Sequence, residues 1–275
     1  ARMATESPNA MTIFPDRSRA LVYALTSSAL TTLLVSSSAG AWSPEAQRAI
    51  AAEAARLAPP DLAGQLARHT KQLERGAVEP FGDTDPLRHT KNEDGSGALD
   101  RALAEETKAA VAALRGFRPF AELVYRLGRV AHFAADLNNP LNASTGDPDE
   151  GRYFRNFFLY ADSARPRFAV VLYENSAVVT ESGGVDRLAA RALERGRALY
   201  PLVGREYRRI SFGNGIDLFD DRSTAYGVAA LAYSHAVSDA ARLYRYIWLA
   251  GGGSDPRPVL DRQRDRLVLL PRGGQ

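Results

Sequence analysis

The segment Arg126-Leu-Gly-Arg-Val-Ala-His132-Phe-Ala-Ala-Asp136-Leu-Asn-Asn-Pro140-Leu141-Asn142 holds the residues whose types and spacing best suit chemistry. Asp136 follows His132 by four positions, so on a helix both side chains leave the same face. An imidazole and a carboxylate on one face are half of a zinc site, with the rest left to other segments. A carboxylate on an otherwise apolar helix is costly to bury alone and favours a cation beside it. The chain has no cysteine and four histidines, His69, His89, His132 and His235, so a metal would rely on these imidazoles and on carboxylates.

The second candidate is the loop Asp83-Thr-Asp85-Pro-Leu-Arg-His89, which can fold round a metal. Asp-x-Asp and Asp-Pro are also ordinary turn chemistry. His235 and Asp239 repeat the four-residue spacing, and there a buried His–carboxylate hydrogen bond, or an Asp239–Arg242 pair, is the plainer reading. His69 shares a leucine stripe between Arg68 and Lys71 and reads as a boundary residue. No serine elbow, phosphate-cradling glycine loop or Cys–His arrangement occurs. Arg152, Arg155, Arg165 and Arg167 read as a solvated helix face rather than an anion site.

Helical spacing dominates the elements that must position these residues. Ser43-Pro44 opens a helix with an inner stripe of Ile50, Ala54 and Leu57. Pro59-Pro60-Asp61 starts a second, with Leu62, Leu66, His69 and Leu73 inward and Gly76 at its end. Residues 77–97 lack any period and read as a long ordered loop. Helices follow at about 98–115 and 119–138, and Pro140 closes the latter. A polar loop spans 142–151, and a helix over 152–162 presents Phe154, Phe157, Phe158 and Ala161. Further helices are expected at 165–180, 185–200 and 223–249, the last stopped by Gly251-Gly-Gly253, with a mixed stretch over 201–221. The fold class is therefore all-α, a compact multi-helix domain.

Residues 1–41 differ in character. Arg17 and Arg19 precede an uncharged apolar run from Ala20 that ends in Ser36-Ser-Ser-Ala39-Gly-Ala41, the pattern of a secretory signal peptide behind a short extension. Cleavage after Ala41 leaves Trp42 as the amino terminus and no transmembrane helix. The expected organisation is 1–41 signal peptide, 42–253 helical domain and 254–275 tail, in a secreted or periplasmic protein. With 35 Lys and Arg against 32 Asp and Glu, the charge is near balance and gives no strong nucleic-acid signal.

The sequence resembles the zinc-dependent phospholipase C family and the related fungal zinc nucleases that cut single strands. Members carry Trp directly after the signal peptide and a helical HxxxDxxxPLH motif. Here Trp42 follows Ala41, and the motif reads His132-x-x-x-Asp136-x-x-x-Pro140-Leu141-Asn142. Trp42-Ser-Pro-Glu-Ala-Gln-Arg-Ala-Ile50, Leu57-Ala-Pro-Pro60 and Gly76-Ala-Val-Glu-Pro80 look like the amino-terminal part of bacterial members. The resemblance implies an all-α fold with three zinc ions that activate water against a phosphodiester. Carried over by position, one zinc site is intact: Asp83 or Asp85, His89, His132 and Asp136. A second has lost its ligands to Asn142, Phe154 and Phe158. A third keeps Trp42 and Asp136, with Gln47 where the nuclease-type histidine falls.

The expectation is thus an exported phospholipase C-like phosphoesterase with one zinc rather than three, acting on a phosphate ester or phospholipid head group. The other class of reading is a non-catalytic descendant that serves as a binding or structural protein of the cell envelope.

Overall fold

Thirteen residues from Pro44 to Arg56 form the first helix because Ser43 caps it: its hydroxyl accepts from the Ala46 N–H at 3.0 Å, with Pro44 at the first helical position. The computed structural model describes residues 42–173, 183–256 and 267–269, which lie in one compact unit beginning at Ala39. The signal peptide read over 1–41 lies outside the described residues.

In chain order the helices are α1 (Pro44–Arg56), α2 (Pro60–Arg68), α3 (Thr70–Val78), α4 (Leu99–Arg115), α5 (Phe120–Leu137), α6 (Pro140–Ala143), α7 (Glu150–Ala164), α8 (Gly184–Arg209), α9 (Gly215–Leu218) and α10 (Thr224–Ala250). Short 3-10 turns occupy Glu79–Gly82, Pro86–His89 and Arg165–Arg167. Strand β1 (Val171–Tyr173) pairs antiparallel with β2 (Leu267–Leu269), Val171 opposite Leu269. The fold is all-α, with this ribbon as the sheet among the described residues.

Helix α5 is the axis. Every residue from Val130 to Leu137 is buried, so its carboxyl-terminal half meets neighbours on all sides, chiefly α3, α4, α10 and α1. Two apolar clusters meet along it. One joins Leu62, Leu66, Leu73, Leu103, Leu127 and Phe133 to Leu243 and Ile247. The other is aromatic, with Trp42, Tyr153, Phe157, Tyr160, Tyr207 and Tyr233.

Several elements depart from the sequence expectation. Gly76 does not end its helix; α3 continues to Val78. A Cβ on Gly76 would stand 2.0 Å from the Tyr125 carbonyl oxygen, so the glycine serves the α3–α5 crossing instead. The preceding helix breaks at His69, half-buried between α2 and α3. The helix expected over 165–180 is absent from its described part: Pro166 sits in a 3-10 turn, and Val171–Tyr173 pairs as a strand. Residues 174–180 lie outside the described residues. Helix α8 runs through Pro201 to Arg209, beyond the expected end at 200. On α7 the buried face is Tyr153, Phe157, Tyr160 and Ala161, which leaves Phe154 and Phe158 half-buried beside it.

Candidate metal centre

His132 and Asp136 leave α5 on one face, and both are fully buried. His132 is held from the far side of its ring, where Nδ1 donates to the Ala77 carbonyl at 2.8 Å. That bond fixes the ring and turns Nε2 toward Asp136 Oδ2, 3.2 Å away. The helix crossing makes it possible. A Cβ on Gly128 would meet the Leu73 carbonyl oxygen at 2.2 Å, so α3 and α5 approach backbone to backbone one turn before His132.

His89 arrives from the 3-10 turn Pro86–His89, whose start Asp85 caps by accepting from the Leu87 N–H at 3.0 Å. The rest of this loop is tied down, as an ordered reading requires. Lys91 bridges to Gly97, where φ of 88° and a would-be Cβ 2.1 Å from the Thr90 oxygen demand glycine. The Lys91 N–H donates to the Asn142 carbonyl at 2.9 Å, and Arg197 donates to the carbonyls of Lys91, Asn92 and Ala143.

The result is a convergence of three donors. His89 Nδ1 lies 2.7 Å from Asp136 Oδ2, His132 Nε2 lies 3.2 Å from the same oxygen, and the two nitrogens are 3.3 Å apart. Among the described residues these three form a group whose ligand atoms all lie within 4.8 Å of one another. A tetrahedral zinc at about 2.0–2.1 Å from its donors separates them by about 3.3 Å. Two edges of the triangle match that figure. The third is the length of a charge-assisted hydrogen bond, which a proton on His89 Nδ1 accounts for.

The electrostatics agree. Burial pulls His89 down, but the hydrogen bond and charge of Asp136, helped by the Asp83 charge, outweigh it and raise its pKa. Burial pushes Asp136 up, and the charges and hydrogen bonds of His132 and His89 outweigh that and lower it. Asp136 is therefore a carboxylate between two imidazoles, a donor set that suits a divalent cation of the zinc class.

The other sequence candidates fall elsewhere. Asp85 is exposed and spends its carboxylate on the turn. Asp83 faces Arg88 at 3.3 Å and Arg129 at 3.9 Å and acts on His89 through its charge. Neither joins the three-donor group. Trp42 is buried and donates its indole N–H to the Ala135 carbonyl at 3.0 Å, which fixes it beside the residue preceding Asp136. Asp239 is held by Arg195 at 2.5 Å, Arg242 at 2.8 Å and Asn138 at 2.9 Å, so the second HxxxD pair belongs to an ion-pair network.

Gln47 has a place that sequence reasoning gave only by position. It lies on the buried stripe of α1, and its Nε2 donates to Asp136 Oδ1 at 3.1 Å. A polar residue within an apolar helical stripe was the available signal. Its Oε1, and Nδ2 of the buried Asn142, have no hydrogen-bond partner among the described residues, atoms that a bound water or ion would satisfy.

No family model and no curated protein sequence matches the chain. Among solved structures, the alpha-toxin of Clostridium perfringens from avian strain SWCP is similar, with a TM-score of 0.57 at 12% identity. The match covers 77% of this chain and 65% of the toxin chain, so this protein spans about 65% of its length. The likeness is one of fold.

Proposed function

We propose that this chain is an exported metal-dependent phosphoesterase of the zinc-dependent phospholipase C type with a reduced centre, one zinc held by His89, His132 and Asp136. The observation that carries the reading is the convergence of three buried donors from two separate segments, each oriented by a second contact: Ala77 behind His132, Gln47 behind Asp136 and Pro80 beside His89. The fold shared with alpha-toxin supports it. A zinc there supplies Lewis acidity toward a phosphoryl oxygen and lowers the pKa of a bound water. The protein's own part is to hold the three donors in place and keep Asp136 ionised. The substrate class is a phosphate ester, with a phospholipid head group as the leading candidate. Export rests on the residue pattern before Trp42; among the described residues no helix is long and apolar enough to cross a membrane.

One observation favours a second reading. The donor side chains are 3%, 0% and 0% exposed, and Gln47 already occupies the other oxygen of Asp136. A closed site of this kind suits a metal or a proton that serves stability in a non-catalytic envelope protein.

Zinc content and phosphodiester hydrolysis, measured together on the purified chain and on His132→Ala, separate the readings. Hydrolysis that tracks zinc and vanishes in the variant supports the first. Zinc without hydrolysis supports the second, and absence of zinc ends the metal assignment.

A further inference from the structure

A cleft of about 580 Å³ lies between α4, the start of α8 and the end of α10, within the range of small-molecule sites. One face of α4 forms its wall, with residues at the spacing of a helical stripe: Ala104, Thr107, Lys108, Val111, Ala112 and Arg115. Val185, Tyr246 and Ala250 close the other sides. None of these residues belongs to the metal centre.

Three features give the cleft a preference. Its lining is largely apolar, with small residues on α4 leaving the space. Its cations are uncompensated: among the described residues Lys108 has no ion-pair partner, and Arg115 has one hydrogen bond, to the Ala250 carbonyl at 2.9 Å. Seven residues apart on α4, the two cations stand about 10 Å apart along the helix. The third feature is Thr107, 2% exposed, whose hydroxyl has no hydrogen-bond partner among the described residues. A buried hydroxyl left unpaired is costly, and a turn of the Thr107 side chain toward the cleft, onto a polar atom of a bound molecule, would remove that cost. Val185 also brings the first turn of α8 to the cleft, and that helix start has no side-chain cap, so its N–H groups add positive potential. Asp186, the acid in that turn, does not line the cleft. The next residue after the lining Gly116 is Phe117, which is 96% exposed and held at φ of 51°, so apolar surface continues outward from this end.

We propose that this cleft binds an anionic amphiphile, a molecule with an apolar body the length of a medium acyl chain and a single anionic head group. The body lies along Ala104, Val111 and Ala112, and the head is met by Lys108 or Arg115.

Calorimetric titration of the full chain with decanoate tests this, with decanol as the uncharged body and inorganic phosphate as the bodiless anion. Saturable one-to-one binding of decanoate is expected, at least tenfold tighter than decanol, with no phosphate binding. Lys108→Met and Arg115→Met keep the apolar stems; one of them should weaken decanoate at least tenfold and leave decanol unchanged, which identifies the head-group end. Val111→Trp, shown to be folded by an unchanged circular-dichroism spectrum, should abolish binding of both. The proposal is overturned if decanoate fails to saturate up to about 1 mM. Equal binding of decanoate and decanol overturns it too, as does decanoate binding untouched by all three substitutions.

Discussion

Gly76 and Gly128 bring α3 and α5 into backbone contact, and a Cβ on either would lie within 2.2 Å of a carbonyl oxygen of the other helix. One residue after the first glycine is the carbonyl that orients His132, and one turn after the second is His132 itself. The crossing therefore sets the metal centre as well as the core.

Gly128→Ala must force the helices apart, at a cost of about 2 kcal/mol. Zinc affinity should fall with it, because the Ala77–His132 bond lengthens. Gly64, in α2 with nothing within 4 Å of a Cβ, is the control. Gly64→Ala should be neutral or stabilising by up to about 1 kcal/mol and leave zinc unchanged. Urea unfolding with zinc titration checks both; equal effects of the two substitutions would contradict the crossing argument.

Removing His89 leaves Asp136 without its nearest partner. His89→Phe in the metal-free protein should cost about 3 kcal/mol in denaturant unfolding, because a buried carboxylate is then under-compensated. A loss below about 1 kcal/mol would show that Asp136 is protonated or already satisfied by Gln47 and His132.

Zinc binding should be coupled to proton release. The raised pKa of His89 means that the stabilisation of the metal-free pair is complete below about 6.5 and is lost as pH rises through the higher folded value. Asp136 acts in the opposite sense: its lowered pKa gives stability that is present above about 3.8 and lost as pH falls through the folded value. Zinc needs the Nδ1 lone pair, so it displaces the His89 proton, and its affinity should rise with pH. Calorimetry near pH 6.5 in buffers of different ionisation heat should show about one proton released per zinc. No release would mean that His89 does not ligate.

His235 supplies a separate acid effect. Burial, followed by the charge of Arg195, lowers its pKa to about 4 despite the opposing charge of Asp239. Between about 6.5 and that value the unfolded chain binds the extra proton, so stability should fall as pH drops through this window and stay level above it. His235→Gln should flatten the slope of unfolding free energy there. An unchanged slope would place the effect on other groups.

The two aspartates before His89 can be told apart. Asp85→Ala should cost about 1 kcal/mol for a lost cap and leave zinc content unchanged. Asp83→Asn should release Arg88 and Arg129 and lower the pKa of His89 while zinc is retained. Loss of zinc in either would add that residue to the ligand set.

Much of this architecture was legible from spacing. The HxxxD pair on an apolar helix, the Ser43 cap, the ordered loop before α4 and the closing helix all follow from period and punctuation. What failed has physical reasons. A glycine that ends a helix and one that lets two helices touch look alike in sequence, and Gly76 is of the second kind. Pro201 signals a stop, yet α8 continues through it. The partner of β1 lies almost a hundred residues downstream at Leu267–Leu269, and no local pattern predicts it. At the site, the union of His89 with His132 and Asp136 came from resemblance, whereas the hydrogen bonds of Gln47, Ala77 and Trp42 are tertiary and invisible to periodicity.

Zinc per chain, measured by elemental analysis after reconstitution and exhaustive removal of free metal, tests the central claim most directly. The account predicts about one zinc in the wild-type protein and less than about 0.2 in His132→Ala. Less than about 0.2 zinc in the wild type, or two or more per chain, would contradict it.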